Sequence, residues 1–241
     1  MTNSSSENKR SAGMTLIEIL SVIAIVAVLS GILLAVIGGA REKARLAKCS
    51  SNLRQLGVAV QLYTSDHQLA LPFGYWIAQN SGDAQVWDQF VEPYLGEGLT
   101  EVLRCPSDYF AEEDSDFPRR SYAMVRNHQG GVAKTGYMTK NSPDALRLLS
   151  IGNPADTIMF TEYSCAKASG QGSDNVIGEI ACSVVDTPLK QMQSGNGTQL
   201  HDGLFNYLFV DGHVECRSPE DTIGTGTLEA PLGMWTYASD D

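Results

Sequence analysis

The chain has 241 residues, 43% hydrophobic and 19% charged, with 17 Lys and Arg against 28 Asp and Glu for a net charge of −11 at pH 7. That length fits one ordinary domain plus an appendage. The apolar content excludes an intrinsically disordered chain, and the 23 Gly and 9 Pro are too few and too irregular for a collagen-like one. The acidic excess excludes a general nucleic-acid binder, because such a surface repels phosphate.

Residues 1–13, MTNSSSENKRSAG, form a polar leader that carries Lys9 and Arg10. Between Glu18 and Arg41 nothing is charged, and the 22 residues from Ile19 to Ala40 are mostly apolar. As a helix this run reaches about 33 Å at 1.5 Å per residue, enough for a hydrocarbon core about 30 Å thick. A core helix of that length would keep a polar face, so the segment 14–40 is expected to span a membrane. Basic residues flank it on both sides, with Lys9 and Arg10 before it and Arg41, Lys43, Arg45 and Lys48 after it, so orientation must come from another signal. A cleaved secretory signal has a shorter apolar stretch. A plain signal anchor has no use for Glu18, whose burial in a bilayer costs about 2.5 to 3.5 kcal/mol. The carboxylate therefore points to a function and a partner.

Beyond the span, Leu46, Cys49, Leu53, Leu56, Val60 and Tyr63 recur at helical spacing. The pattern predicts one helix over 14–66, whose second half lays this stripe on a globular domain in the same chain. A coiled-coil neck would need three or four heptads, more than the stripe provides.

Residues 67–241 are expected to form the globular part, mostly short strands with one or two small helices. Val86, Trp87, Phe90, Val91, Tyr94 and Leu95 make a helical face closed by Gly96. Ser142-Pro143 reads as the cap and first turn of a short helix through Leu149. Thr157 to Tyr163 and Ile177 to Val185 are strand-like. Phe205 to Val210 and His213 to Arg217 flank Asp211-Gly212, the signature of a two-residue hairpin turn with positive φ at both positions.

The stretch Gly13-Met14-Thr15-Leu16-Ile17-Glu18-Ile19-Leu20 behind a short basic leader resembles the type III signal of type IV pilins and type II secretion pseudopilins. The resemblance implies that a prepilin peptidase/methyltransferase cuts between Gly13 and Met14 and N-methylates Met14. It also implies that Glu18, the fifth mature residue, guides assembly with other pilin or pseudopilin subunits. Met14 departs from the Phe usual at that position. Cys49-Ser-Ser-Asn52-Leu53-Arg54-Gln55-Leu56-Gly57, Cys105-Pro106-Ser107-Asp108, and His201 followed after nine residues by Asp211-Gly212 are similar to pilin-like proteins with a prepilin-type processing-associated tail. The implied fold class is α+β: a long N-terminal helix packed on a C-terminal antiparallel sheet. The implied place is the bacterial inner membrane, single-pass, with the C-terminal domain extracytoplasmic and then part of a surface or periplasmic filament.

A cationic amine created at Met14 could be neutralised by Glu18 of a neighbouring subunit, which would set the register of assembly. His201, Asp211, His213 and Cys216 match no closed zinc spacing, so no metal and no cofactor is expected. His201 is instead expected to hydrogen-bond near the hairpin and hold the last strands in register. The acidic cluster Glu112, Glu113, Asp114 and Asp116 lacks the ligand alternation of an EF-hand and reads as a solvated loop. Of the five cysteines, Cys49 on the stripe is expected to be a buried thiol. The other four permit three pairings, with Cys165 to Cys182 the local one. No nucleophile elbow or phosphate loop is present, so the chain is not expected to be an enzyme. The function expected is a structural subunit of a type IV pilus or secretion pseudopilus. The alternative is a membrane-anchored extracytoplasmic module that binds an extracellular ligand without polymerising. The domain from about Ala44 onward is expected to be soluble and monomeric.

Overall fold

The computed structural model describes residues 14–77, 84–109, 118–126, 128–129, 132–133, 146–165, 176–177, 179–195 and 197–237. The leader with Gly13, the acidic cluster Glu112 to Asp116, Ser142-Pro143 and the GQGSDN insertion lie outside them. The chain divides into two compact units, Met1–Arg41 and Glu42–Asp241. A single helix, α1 (Leu16–Asp66, 51 residues), contributes to both.

In the first unit the described side chains of α1 are exposed, apart from the half-buried Ile37. Its apolar window is long enough to cross a membrane, and none of it is buried. Leu16, Ile25, Leu29 and Leu34 are among the large apolar side chains left uncovered. Among the described residues no large apolar side chain of this stretch is buried, as expected of a helix whose solvent is lipid or another helix.

In the second unit the α1 stripe is core. Cys49, Leu53, Leu56, Ala59 and Val60 are buried in one cluster with Trp87, Phe160, Tyr207, Leu208 and Trp235, and Tyr63 is buried against Phe90 and Tyr94. The stripe therefore packs in cis, and the neck alternative is excluded for it. Gly57 lets the helix approach: a Cβ there would meet Leu208 Cδ1 at 2.9 Å.

A short hairpin, β1 (Tyr75–Ile77) with β2 (Ala84–Val86), leads into α2 (Trp87–Leu95) and α3 (Leu99–Val102). The expected face Val86 to Leu95 thus lies on α2 apart from Val86, which ends β2. Gln89 caps the start by accepting from Val86 N at 3.0 Å, and Gly96 (φ +62°) ends the helix.

The main sheet has five strands in the order β7-β3-β6-β8-β9. These are β3 (Tyr122–Val125), β6 (Ile158–Glu162), β7 (Val184–Val185), β8 (Phe205–Phe209) and β9 (Val214–Arg217). Between β3 and β6, β4 (His128–Gln129) and β5 (Val132–Ala133) form a separate pair. Within the main sheet all pairings are antiparallel except β3 with β7. The fold is the α+β arrangement of a long N-terminal helix followed by an antiparallel-rich sheet. Helix α4 (Pro188–Gln193) follows β7, with Thr187 accepting from Lys190 N at 3.2 Å as its N-cap.

Three local expectations need correction. The strand expected over Ile177 to Val185 shrinks to Val184–Val185. The carbonyls of Glu179 and Ala181 turn to the Arg120 guanidinium at 2.6 and 2.8 Å, and Cys182 sits at φ +59°, so the backbone cannot stay extended. Of the helix expected through Leu149, the described part is not helical at Arg147, which is extended and bridges Ala70, and only then forms one 3-10 turn, Leu148–Ser150. The Asp211-Gly212 turn has three loop residues, not two. Gly212 N donates to Phe209 O at 3.0 Å and Phe209 N to His213 O at 2.9 Å. Of the two turn positions only Gly212, at φ +95°, is left-handed. This is a type I turn closed by a glycine bulge.

Candidate functional site

Two sites carry chemistry, one in each unit. The first is the start of α1. Thr15 is its N-cap: the Glu18 carboxylate accepts from Thr15 N at 2.7 Å and from Thr15 Oγ1 at 2.8 Å. Glu18 N points back to Thr15 Oγ1 at 3.4 Å. This is a capping box, in which donors that a helix start leaves free are satisfied reciprocally. In the single chain Glu18 thus has a local partner one residue from Met14, on a surface that is otherwise apolar. The pattern Thr15-x-x-Glu18 is legible in the sequence, where the carboxylate reads only as an assembly group.

The second site lies in the domain, beneath the second half of α1. Its centre is His201, in the 3-10 segment Gly197–Gly203. His201 (φ 44°) and Asp202 (φ 59°) are both left-handed, a conformation that side-chain-bearing residues adopt at a cost and that here aims the ring inward. Its Nδ1 lies 2.8 Å from Glu42 Oε1 on α1, and its Nε2 lies 3.0 Å from Glu162 Oε1 at the end of β6. A carboxylate facing each ring nitrogen favours the imidazolium, the form that donates from both.

The surroundings agree with that charge. Burial disfavours the imidazolium, but the hydrogen bonds and charges of Glu162 and Glu42 more than offset it and hold the His201 pKa above its ordinary value. Burial likewise works to raise Glu42, yet hydrogen bonds from His201 and Ser107 and the charges of His201 and Arg45 leave it lowered. Glu162 is fully buried; Asn206 holds it from β8 with its backbone N on Oε2 at 2.7 Å and its Nδ2 on Oε1 at 3.1 Å. Ser107 Oγ donates to Glu42 at 2.9 Å.

Beside the ring runs the Cys49–Cys105 disulfide, with Cα atoms 5.2 Å apart, which ties α1 to the segment after α3. Cys105 Sγ lies 3.3 Å from His201 Nε2. The expectation that Cys49 is an unpaired thiol is corrected: the free cysteine is the exposed Cys216. Cys49 faces the core at a point where Cys105 arrives 56 residues later. Cys165 and Cys182 are bridged across the insertion they flank.

The role expected of His201 also changes. Its ring reaches Glu42 and Glu162, and it touches the last strands only through Glu162 and Asn206. Asp211 O instead accepts from Gln61 Nε2 at 3.0 Å, and Asp211 Oδ1 accepts from His213 N at 3.0 Å. The two ends of the His-x9-Asp-Gly spacing therefore serve separate contacts with α1, one near its middle and one in its last turns. A second buried network, the Asp88–Arg120 ion pair under Trp87, braces α2 against the sheet.

The chain matches the prokaryotic N-terminal methylation motif over residues 8–34 and a family described as a protein of unknown function (DUF1559) over residues 39–116. The first match spans Gly13, Met14 and Glu18; the second holds Glu42, Cys49 and Cys105 and ends well before His201. No curated protein and no solved structure matches the chain.

Proposed function

We propose that this type IV pilin-like chain is a structural subunit, cut between Gly13 and Met14, N-methylated at Met14, and polymerised through the first half of α1 into a type IV pilus or a type II secretion-like pseudopilus. The methylation motif implies processing by a prepilin peptidase and association with other pilins. An apolar helix start near the N-terminus fits membrane anchoring. Before assembly the subunit would cross the inner membrane once, with its second unit extracytoplasmic.

The single observation that carries this reading is the uncovered apolar helix with one carboxylate, Glu18, in its first turn. A tether needs the apolar length and not the carboxylate. In the lone chain Glu18 is engaged by Thr15; in a filament it would exchange that partner for the methylated amine of a neighbouring Met14, two poorly solvated charges neutralising each other. Pilin-like domains are generally structural, and the reading assigns no catalysis to this one.

The test is the mass of the mature N-terminus from cells that carry the peptidase, together with filament incorporation of Glu18→Ala. A chain that begins at methylated Met14 and loses incorporation on substitution is the expected result. A chain that begins at Met1, or a Glu18→Ala subunit that assembles normally, would favour the membrane-anchored ligand-binding alternative.

A further inference from the structure

The buried cluster around His201 holds more than a disulfide and an ion pair require. Cys49 Sγ, Cys105 Sγ, His201 Nε2 and a Glu162 carboxylate oxygen all lie within 4.8 Å of one another, and all four residues are buried. They come from four places: the middle of α1, the segment after α3, the end of β6 and the 3-10 segment before β8. Two sulfurs, one imidazole and one carboxylate are donor types that zinc accepts, in the number a tetrahedral ion takes, at about 2.0 to 2.3 Å each. We propose that, when the Cys49–Cys105 disulfide is reduced, Cys49, Cys105, His201 and Glu162 form a closed zinc site, so that disulfide and metal are alternative staples between α1 and the domain.

The outer shell supports this independently of the donor count. A histidine that ligates a metal through one nitrogen usually gives the other N–H to a carboxylate, which fixes the tautomer and turns the free lone pair to the metal. Glu42 does this to His201 Nδ1 at 2.8 Å, leaving Nε2 toward the sulfurs and Glu162. Glu162 is itself oriented by both Asn206 donors, and the strained backbone of His201 and Asp202 holds the ring on the centre. Among the described residues, the only side chain able to carry a positive charge that pairs with the fully buried Glu162 is His201. A divalent ion between Nε2 and the carboxylate would take over that role.

The exchange balances. A cellular dithiol gives two electrons and two protons to the disulfide and becomes a disulfide itself, leaving Cys49 and Cys105 as thiols. Zinc binding then releases one proton from each thiol and one from His201 Nε2. The product is a zinc ion held by two thiolates, one neutral imidazole and one carboxylate.

The experiment uses the full chain in detergent with Cys216→Ser to remove the exposed thiol. A trialkylphosphine reduces it, itself becoming phosphine oxide with oxygen from water, and zinc is then titrated against a chromophoric chelator. Cobalt(II) serves as a second probe for its tetrahedral dithiolate absorption. One zinc per reduced chain, none in the oxidised chain and none after Cys49→Ser/Cys105→Ser is the expected result. Cys165→Ser/Cys182→Ser should leave the zinc in place, and Glu42→Gln should weaken it by about 10- to 100-fold. Zinc that persists without Cys49 and Cys105, cobalt without dithiolate character, or a reduced chain that takes no zinc, folded or not, would each overturn the proposal.

Discussion

His201 is held between Glu42 and Glu162, and the direction of each shift fixes how that contact responds to pH. A histidine whose folded pKa is raised adds stability that is complete below its unfolded value, near 6.5, and is lost as pH rises through the folded value. A glutamate whose folded pKa is lowered adds stability that is complete above its unfolded value, near 4.5, and is lost as pH falls through the folded value. With the disulfide closed, the His201–Glu42 contribution is therefore greatest between those two values. His201→Gln should cost about 1 to 3 kcal/mol in that window, the range for a buried acceptor left unpaired. The difference from wild type should narrow as pH rises through the raised folded value, above which the wild-type imidazole is also neutral. Urea midpoints from mild acid to alkaline pH check this, and a difference that stays constant as pH rises through the folded value would contradict it.

At the level of elements, the β8–β9 hairpin and the last turns of α1 constrain each other through one glycine. Gly212 is left-handed at φ +95°, and a Cβ there would fall 2.3 Å from Gln61 Nε2, the group that donates to Asp211 O. Gly212→Ala should thus cost about 1 to 3 kcal/mol, from the backbone conformation and the displaced Gln61 together. Adding Gln61→Ala relieves the contact and leaves the φ, so the double variant should recover part of the loss and no more; a thermal-denaturation cycle separates the two. Full recovery would show that the turn tolerates a side chain at that φ.

Across the whole molecule, apolar exposure and charge divide along the chain. Large uncovered apolar side chains run from Met14 to Val36, whereas in the second unit those described are scattered, such as Val58, Tyr109 and Leu149. From Gln55 onward 25 acidic residues outnumber 10 basic ones, a balance that favours solubility. A chain beginning at Arg41 should be monomeric without detergent. One beginning at Ala44 lacks Glu42 and its bond to His201, and should be less stable by about 1 kcal/mol. Sedimentation and urea denaturation of both test this; equal stability would mean that Glu42 adds nothing beyond Glu162.

Sequence by itself determined what depends on neighbours along the chain. The uncharged run and the stripe from Leu46 to Tyr63 specify one long helix, apolar all round and then on one side, because helical periodicity is local. Phe205 to Arg217 specify two strands and a tight turn for the same reason, although turn length depends on backbone hydrogen bonds that the dipeptide Asp211-Gly212 leaves open. Only the tertiary structure decided the partners of buried polar groups. Cys49 reads as a core residue and is also half of a disulfide, since stripe position reports burial and not what arrives opposite. His201 reads as a hairpin residue, yet it meets Glu42 across 159 residues and Glu162 across 39. Those pairings follow from how β6 and β8 align and where α1 lies on the domain, and no spacing in the sequence encodes either.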